Sequence, residues 1–342
     1  MDTTEHWLSS HTFHHRQFAD TAVLLERKQA QELRLSLCIP TLNEEPTIAR
    51  VVERLRPLRD QVPLVDEIAV IDSGSQDQTR ALAARAGAEV YLASEILPEA
   101  GHYVGKGENL WKALFQLQGD ILIFIDADVT TLHPGFVTGL IGPLLFDGAI
   151  GYVKGFYDRP TEDPFPGLPE AADGGGRLTE ILVRPLLSLW YPHLTGLIQP
   201  LAGEYAARRS LLEQLPFPVG YGVELAHLLD LATVHGLDIL AQTDLGERCH
   251  RHRGNRQLGQ SAYGLLQVLC RRLRQQGRLE WDPEEVPALR QFIRSQGTFL
   301  SVEVPLCERE RPPMIELARY RTRHHGVADR FAVRDVSASV AD

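Results

Sequence analysis

The chain has 342 residues, room for one large α/β domain or for one domain with an appended second part. Its hydrophobic fraction of 44% and charged fraction of 23% are ordinary for a globular protein. A formal net charge of -10 argues against a general binder of nucleic acid or anionic membrane, so an anionic substrate has to meet a local basic cluster.

The N-terminus, Met1-Asp2-Thr3-Thr4-Glu5-His6, lacks the basic-then-apolar order of a signal peptide, and no apolar run approaches the length of a bilayer span. Residues 1–33 read as an extension with a helix near Phe18 to Gln31. An alternation of strands and helices then begins. Leu35-Ser36-Leu37-Cys38-Ile39 is a short apolar run ended by Pro40, and a helix is expected next, with Asn43 as its N-cap and Glu44 and Glu45 in its first turn. Glu67 to Asp72 is a second strand, and Ser73-Gly74-Ser75 turns the chain into another helix. Ala88 to Leu92 is a third strand and Gly105 to Leu117 a helix. Ile121-Leu122-Ile123-Phe124-Ile125 is a fourth strand, apolar on both faces and therefore central. Pro134 opens the next helix, and Ile150 to Phe156 can form a further strand.

Strands alternating with helices imply a mostly parallel, doubly wound sheet, whose ligands sit at the carboxyl ends of the strands. Asp72 and the pair Asp126-Ala127-Asp128 fall there. Residues 158–176 read as a Pro/Gly/acid-rich loop, followed by a helix from about Arg177 to Leu189. The remainder, including Leu265 to Leu273 and Leu289 to Ile293, reads as helical, and the last dozen residues as a small, polar tail. Cys38, Cys249, Cys270 and Cys307 form no CxxC pair. That pattern favours reduced thiols in the cytoplasm over a zinc site or a disulfide framework.

Two carboxylates at i, i+2 on a strand end can face one ligand. Mg²⁺ or Mn²⁺ takes such oxygens together with substrate phosphates, and then stabilises a departing diphosphate. Asp also caps helices and fills turns, so the spacing alone is weak; its place after the central strand raises it. Gly105-Lys106-Gly107 opens a helix, where flanking glycines let backbone approach a phosphate. A solvated lysine explains Lys106 equally well. Arg248-Cys249-His250-Arg251-His252-Arg253 is a basic cluster in an acidic chain. It lacks the interleaved aromatics of a nucleic-acid patch.

Pro40-Thr41-Leu42-Asn43-Glu44-Glu45, Val70-Ile71-Asp72-Ser73-Gly74-Ser75-Gln76-Asp77 and Asp126-Ala127-Asp128 resemble a family of GT-A glycosyltransferases. Gly174-Gly175-Gly176-Arg177-Leu178-Thr179-Glu180, Pro200-Leu201-Ala202-Gly203-Glu204-Tyr205-Ala206-Ala207 and Gly220-Tyr221-Gly222-Val223-Glu224, in that order, narrow the resemblance to the glucosyl-3-phosphoglycerate synthase family, over roughly residues 5 to 256. The resemblance implies a GT-A fold, Rossmann-like, with a mostly parallel sheet flanked by helices and a helical C-terminal extension. Residues 34–157 would be the nucleotide-sugar-binding half and 158–256 the acceptor-binding half. Residues 257–330 would be helical and make homodimer contacts, and 331–342 would be the tail.

It further implies retaining transfer of glucose from a nucleotide diphosphate donor, UDP-glucose in the first instance, to the 2-hydroxyl of 3-phosphoglycerate. Donor binding would fall to Pro40, Leu42, Glu44, Ser73, Lys106, Asp126, Ala127, Tyr221, Glu224 and Arg248. The acceptor would meet Arg177, Thr179 and His252, and Mg²⁺ or Mn²⁺ would bind Asp128 and His250. Glu224 and Asp126 would be the catalytic carboxylates. A front-face route is favoured over a Glu224 nucleophile. His252 stands where the family pattern carries Asn, which predicts acceptor affinity that varies between pH 6 and 8. The alternatives are a mannosyl-3-phosphoglycerate synthase using GDP-mannose, a sugar-nucleotide nucleotidyltransferase, and a non-catalytic nucleotide-sugar binder.

Overall fold

The computed structural model describes residues 3–158, 176–248, 254–282, 286–295 and 297–326. Twelve strands are present among them. They are β1 (Thr12–His14), β2 (Leu35–Thr41), β3 (Glu67–Asp72), β4 (Glu89–Leu92), β5 (Ile121–Phe124), β6 (Tyr152–Asp158), β7 (Tyr205–Arg208), β8 (Phe217–Pro218), β9 (Leu240–Glu247), β10 (Ala288–Ser295), β11 (Thr298–Pro305) and β12 (Glu310–Arg311). Eight of them form one sheet in the order β1-β9-β6-β7-β5-β2-β3-β4. All its pairs are parallel except those made by β7, which runs antiparallel to β5 and β6. This is the mostly parallel, helix-flanked architecture expected from the alternating pattern.

The two-faced apolar strands explain why the sheet is central. Leu35, Leu37, Ile39, Ile121 and Ile123 point into one core, together with the helices Ile48–Leu55, Thr79–Ala86 and Gly135–Phe146. Cys38, Leu122 and Phe124 point into the other, against the helices Lys106–Gln116, Val223–His235 and Asn255–Gln275. Alternation along a strand thus feeds two cores, and every residue of β2 and β5 is buried.

Four expectations are corrected. The described part of the expected extension, residues 3–33, is built into the fold: β1 pairs with β9 at the sheet edge, and Trp7 is buried. The helix expected from Phe18 runs over Thr21–Ala30, with Asp20 as its cap. Asn43 is not an N-cap, because the helix after β2 starts only at Ile48. Asn43 instead adopts a left-handed backbone (φ 55°), and its Oδ1 accepts from the Gln76 N–H at 2.9 Å, tying two loops together. The Leu289–Ile293 run is strand, not helix. β10 and β11 form an antiparallel hairpin closed around Gly297, whose φ of 83° is the left-handed conformation glycine tolerates. Beyond the helix Asn255–Gln275, only Ala318–His325 is α-helical in the described C-terminal region.

Candidate active site

In chain order the sheet builds outward from β2 to β3 and β4, then returns to place β5 on the other side of β2. The carboxyl ends of β2 and β5 therefore flank the switch point of an open α/β sheet, where a crevice forms. A cavity of about 300 Å³ opens there. Pro40, Leu42 and Glu44 follow from β2, Ser73 from β3, and Asp126, Ala127 and Asp128 from β5; Lys106 and Tyr221 close the opposite side. Gly105, expected beside Lys106, and Thr41, Val104 and Asn109, which sequence reasoning did not single out, complete the wall. Asn109 could have been sought as the polar residue one turn after Lys106. Its Oδ1 accepts from Ser73 Oγ at 2.8 Å, and its Nδ2 donates to the Ile71 carbonyl at 2.8 Å.

The floor is an ion network. Lys106 Nζ lies 2.6 Å from Asp126 Oδ1 and 2.7 Å from Glu224 Oε1. Glu224 stands in the first turn of the helix Val223–His235 and is buried. Arg248, just past β9, donates from Nη2 to Asp126 Oδ2 and Asp128 Oδ1, both at 3.0 Å. Its Nη1 donates to Tyr157 Oη at 2.7 Å, and Tyr157 in turn donates to Glu204 Oε2 at 2.8 Å. Glu204 and Tyr157 were not foreseen as site residues. The only signal was Glu204's place in the Pro-Leu-Ala-Gly-Glu-Tyr run. Burial disfavours the charge on Lys106, yet the carboxylates of Asp126 and Glu224 outweigh it and raise its pKa. Burial pushes the Asp126 carboxyl up, and Lys106 and Arg248 more than reverse this, holding it well below the usual carboxylate range. Glu204 goes the other way, raised by burial despite Arg248.

The glycines here have contact reasons. A Cβ on Gly203 would collide with Asp126 Oδ2 and Lys106 Nζ, so the bare Cα lets the ion pair form. The phosphate-cradle reading of Gly105 and Gly107 is corrected at Gly107, whose N–H is taken by protein, while Gly105 lines the cavity. A Cβ at either would strike the carbonyls of Val219 or Pro218, and the N–H groups of Gly107 and Glu108 donate to the Gly220 and Val219 carbonyls at 3.2 and 3.0 Å. Protein backbone consumes these donors. Asp72 is likewise absorbed locally: its Oδ1 accepts from the N–H groups of Gly74 and Ser75 at 2.9 and 2.8 Å, and its side chain is fully buried.

The remaining expected residues are less closely gathered. Arg177 and Thr179 do not line this cavity. Thr179 is buried at the start of a π-helical turn (Thr179–Val183), and exposed Arg177 donates from Nη1 to Asn255 Oδ1 at 2.7 Å. Asn255 begins the helix that follows the 249–253 stretch. His250 and His252 lie in that stretch, outside the described residues, as do Cys249, Arg251 and Arg253. Among the described residues no group of three or more His, Cys, Asp or Glu side chains is arranged to hold a metal. Asp128 does present a part-exposed carboxylate to the cavity. One hard oxygen ligand beside a space for diphosphate suits Mg²⁺ or Mn²⁺, which complete their shells with phosphate and water. Cys38, Cys270 and Cys307 are free thiols, and no described helix is long and apolar enough to cross a membrane.

Residues 36–213 match the family described as Glycosyl transferase family 2. The chain is 45% identical to a glucosyl-3-phosphoglycerate synthase of Petrotoga mobilis, covering 91% of this chain and 95% of that protein. Its structure is similar to that of a Mycobacterium tuberculosis glucosyl-3-phosphoglycerate synthase solved with Mn²⁺, uridine diphosphate and glucosyl-3-phosphoglycerate. The TM-score is 0.78 at 39% identity, over 89% of this chain and 98% of the other. The same mycobacterial enzyme has been solved with Mn²⁺ and UDP-glucose, and with Mg²⁺ and UDP. A mannosyl-3-phosphoglycerate synthase of Rubrobacter xylanophilus superposes with a TM-score of 0.83 at 34% identity, over 92% of this chain and 99% of that one. The two scores reverse the order of the two identities. Identity is the better guide to donor choice, because backbone shape is shared by glycosyltransferases that differ in one sugar hydroxyl.

Proposed function

The chain belongs to the glucosyl-3-phosphoglycerate synthase family, and from that membership we propose that it transfers glucose from UDP-glucose to the 2-hydroxyl of 3-phosphoglycerate with retention of configuration. The observation that carries this reading is the Lys106–Asp126–Glu224 network at the floor of a cavity whose rim is Asp128, Pro40, Leu42, Glu44, Ser73, Ala127 and Tyr221. In this reading the nucleotide lies over the β2 and β3 ends, and the sugar reaches Asp126 and Glu224. Asp128, joined by His250, would hold Mg²⁺ or Mn²⁺. The cation supplies charge neutralisation for the departing diphosphate. Arg248 backs both Asp126 and Asp128, so the diphosphate meets a cationic wall rather than two bare carboxylates.

Glu224 fits a sugar-positioning role better than a nucleophilic one. A nucleophile has to present a free, correctly aimed oxygen to the anomeric carbon. Here one oxygen is tied to Lys106 at 2.7 Å, which partly neutralises its charge and fixes its orientation. That favours front-face transfer, with the leaving diphosphate taking the acceptor proton. Arg177, Thr179 and His252 would receive the phosphate and carboxylate of the acceptor. We further propose a cytoplasmic homodimer with contacts from residues 257–330. The hairpin there exposes Phe292 (59%), Phe299 (68%) and Leu300 (48%), more apolar surface than an isolated edge hairpin usually leaves in water.

The test is incubation with Mg²⁺ or Mn²⁺, 3-phosphoglycerate and, separately, UDP-glucose, ADP-glucose, GDP-glucose and GDP-mannose. UDP release with formation of the phosphorylated glycoside is expected, and loss of both in Asp128→Ala. Turnover with GDP-mannose alone would replace the donor assignment. Pyrophosphate release would replace the reaction class.

A further inference from the structure

The donor cavity shares Val104, Gly105 and Tyr221 with a second cavity of about 460 Å³, lined on its far side by Gln257, Ser261, Gln267 and Glu308. The wall between them is the loop Gly220–Gly222, which leads directly into the helix carrying Glu224. One side of that loop is held by the helix bearing Lys106, through the Gly107 and Glu108 N–H donors already described. The other side is held by the segment after the hairpin. β12 pairs with β8, and the Val219 N–H donates to the Arg309 carbonyl at 2.8 Å. The Gly220 N–H donates to Glu308 Oε1 at 2.5 Å. Glu308 is itself fixed at the backbone: its N–H donates to Gln267 Oε1 at 2.9 Å, and its carbonyl accepts from Arg271 Nη2 at 2.6 Å. A Cβ on Gly220 would come within 2.6 Å of Glu308 Oε2, and one on Gly264 within 2.9 Å. Both glycines make room for this carboxyl group.

We propose that Glu308 is a positioning residue for the donor site, which sets the Gly220–Gly222 loop, and through it Tyr221 and the first turn bearing Glu224, from a segment some eighty residues away in the chain. The proposal rests on the reading that the smaller cavity takes a nucleotide diphosphate sugar. Glu308 touches no part of that cavity and has no role in bond making.

The electrostatics give the contact a signature. Burial pushes the Glu308 carboxyl up to about 7, although the Gly220 N–H and the Arg271 guanidinium favour its charged form; the carboxylates of Glu310 and Glu224 push the same way as burial. The charged neighbours are Arg271 from the helix Asn255–Gln275, Glu224 from the helix Val223–His235, and Glu310 and Arg309 on its own segment, where Arg309 is engaged with Tyr103 Oη. A carboxylate accepts from an N–H more strongly than a neutral carboxyl does. As pH falls through about 7 the acceptor weakens, the loop loosens, and donor affinity falls. The donor's diphosphate diester stays ionised over this range.

The experiment compares the full chain with Glu308→Ala and Glu308→Gln. The readouts are KM and kcat for UDP-glucose from pH 6 to 8, and amide hydrogen exchange over residues 217–224 without donor. Glu308→Ala is expected to raise KM by about tenfold, a larger factor than its effect on kcat, and to speed exchange at Gly220. Glu308→Gln keeps an acceptor but cannot titrate. It is expected to restore KM to within about threefold and to abolish the rise in KM that the unsubstituted protein shows as pH falls. Glu308→Ala with unchanged KM and exchange, or Glu308→Gln with the original pH profile, would overturn the proposal. An unsubstituted protein that does not bind UDP-glucose would instead overturn the donor reading, and the exchange comparison would still decide the role of Glu308.

Discussion

At the strand ends, Lys106, Arg248 and the carboxylates of Asp126, Asp128, Glu204 and Glu224 form a charged network in which Lys106 and Arg248 are nearly buried. Beyond residue 254 the chain holds itself differently: a long helix, a hairpin whose apolar side chains face outward, and a strap of backbone hydrogen bonds over the 217–222 loop. The first region is stabilised only as a set. Each of its charges is costly to bury alone, so removing one member leaves the others uncompensated. The second region keeps buried ion pairs only at its base, Arg272 with Asp230 and Glu310 and Arg311 with Glu108, while the side chains of its exposed hairpin can change without stranding a charge. The charges that face the donor cavity are thus gathered at the strand ends, and placement of the 220–222 loop is left to a segment outside that cavity.

The sharpest way to break this contrast is Lys106→Met. It strands Glu224 and leaves Asp126 with Arg248 alone, and should cost about 3–5 kcal/mol of stability together with about 10³-fold in kcat/KM. Thermal denaturation and initial rates would show it, and near-normal values in both would remove the network from the account. Next in size is Gly203→Ala. Its methyl group displaces the Asp126–Lys106 contact without removing any charge, so about 1–3 kcal/mol and about 10²-fold in kcat/KM are expected. An unaltered kcat/KM there would mean the pair tolerates displacement.

Lys154→Met tests the opposite sign. Lys154 is buried beside the network, its Nζ 5.1 Å from the Tyr205 ring and without a hydrogen-bond partner among the described residues. Burial lowers its pKa from 10.5 to about 8, with Glu224 opposing and Lys106 assisting. Between those values the unfolded chain binds more protons than the folded one, so Lys154 makes stability rise from pH 8 to 10.5 and carries its full cost below 8. Lys154→Met should raise the Tm at pH 7 by about 2–4 °C or more and flatten that rise. A lower Tm with the slope intact would show that the ammonium is stabilising. The smallest effect belongs to Phe299→Ser on the exposed hairpin. Its stability change should stay within about 0.5 kcal/mol, while light scattering should show a shift from dimer toward monomer. Unchanged mass would separate the hairpin from any self-association.

Legibility in the sequence followed the same division. Ile121 to Phe124 was readable as a central strand because apolar residues on both faces leave no other burial solution, and Asp126 and Asp128 were placed at its carboxyl end by that reading alone. Leu289, Phe292 and Ile293 have helical spacing, yet they lie in a strand. Register with Thr298–Pro305 and the left-handed turn at Gly297 decided the outcome, and neither is visible in the run itself. Asn43 looked like a cap because Glu44 and Glu45 follow it, but its side chain serves the loop after β3 instead.

The sequence by itself determined the alternating sheet, the strand-end carboxylates and the motif set that placed the chain in its family, because period, turn residues and motif order are properties of neighbouring residues. Only the tertiary structure decided that Lys106 pairs with Asp126 and Glu224, that Arg248 reaches back 122 residues to Asp126, and that Gly105, Gly107 and Gly203 each sit where a Cβ would collide. Burial makes each of those charges depend on a partner distant in the chain, and the choice of partner is fixed by packing.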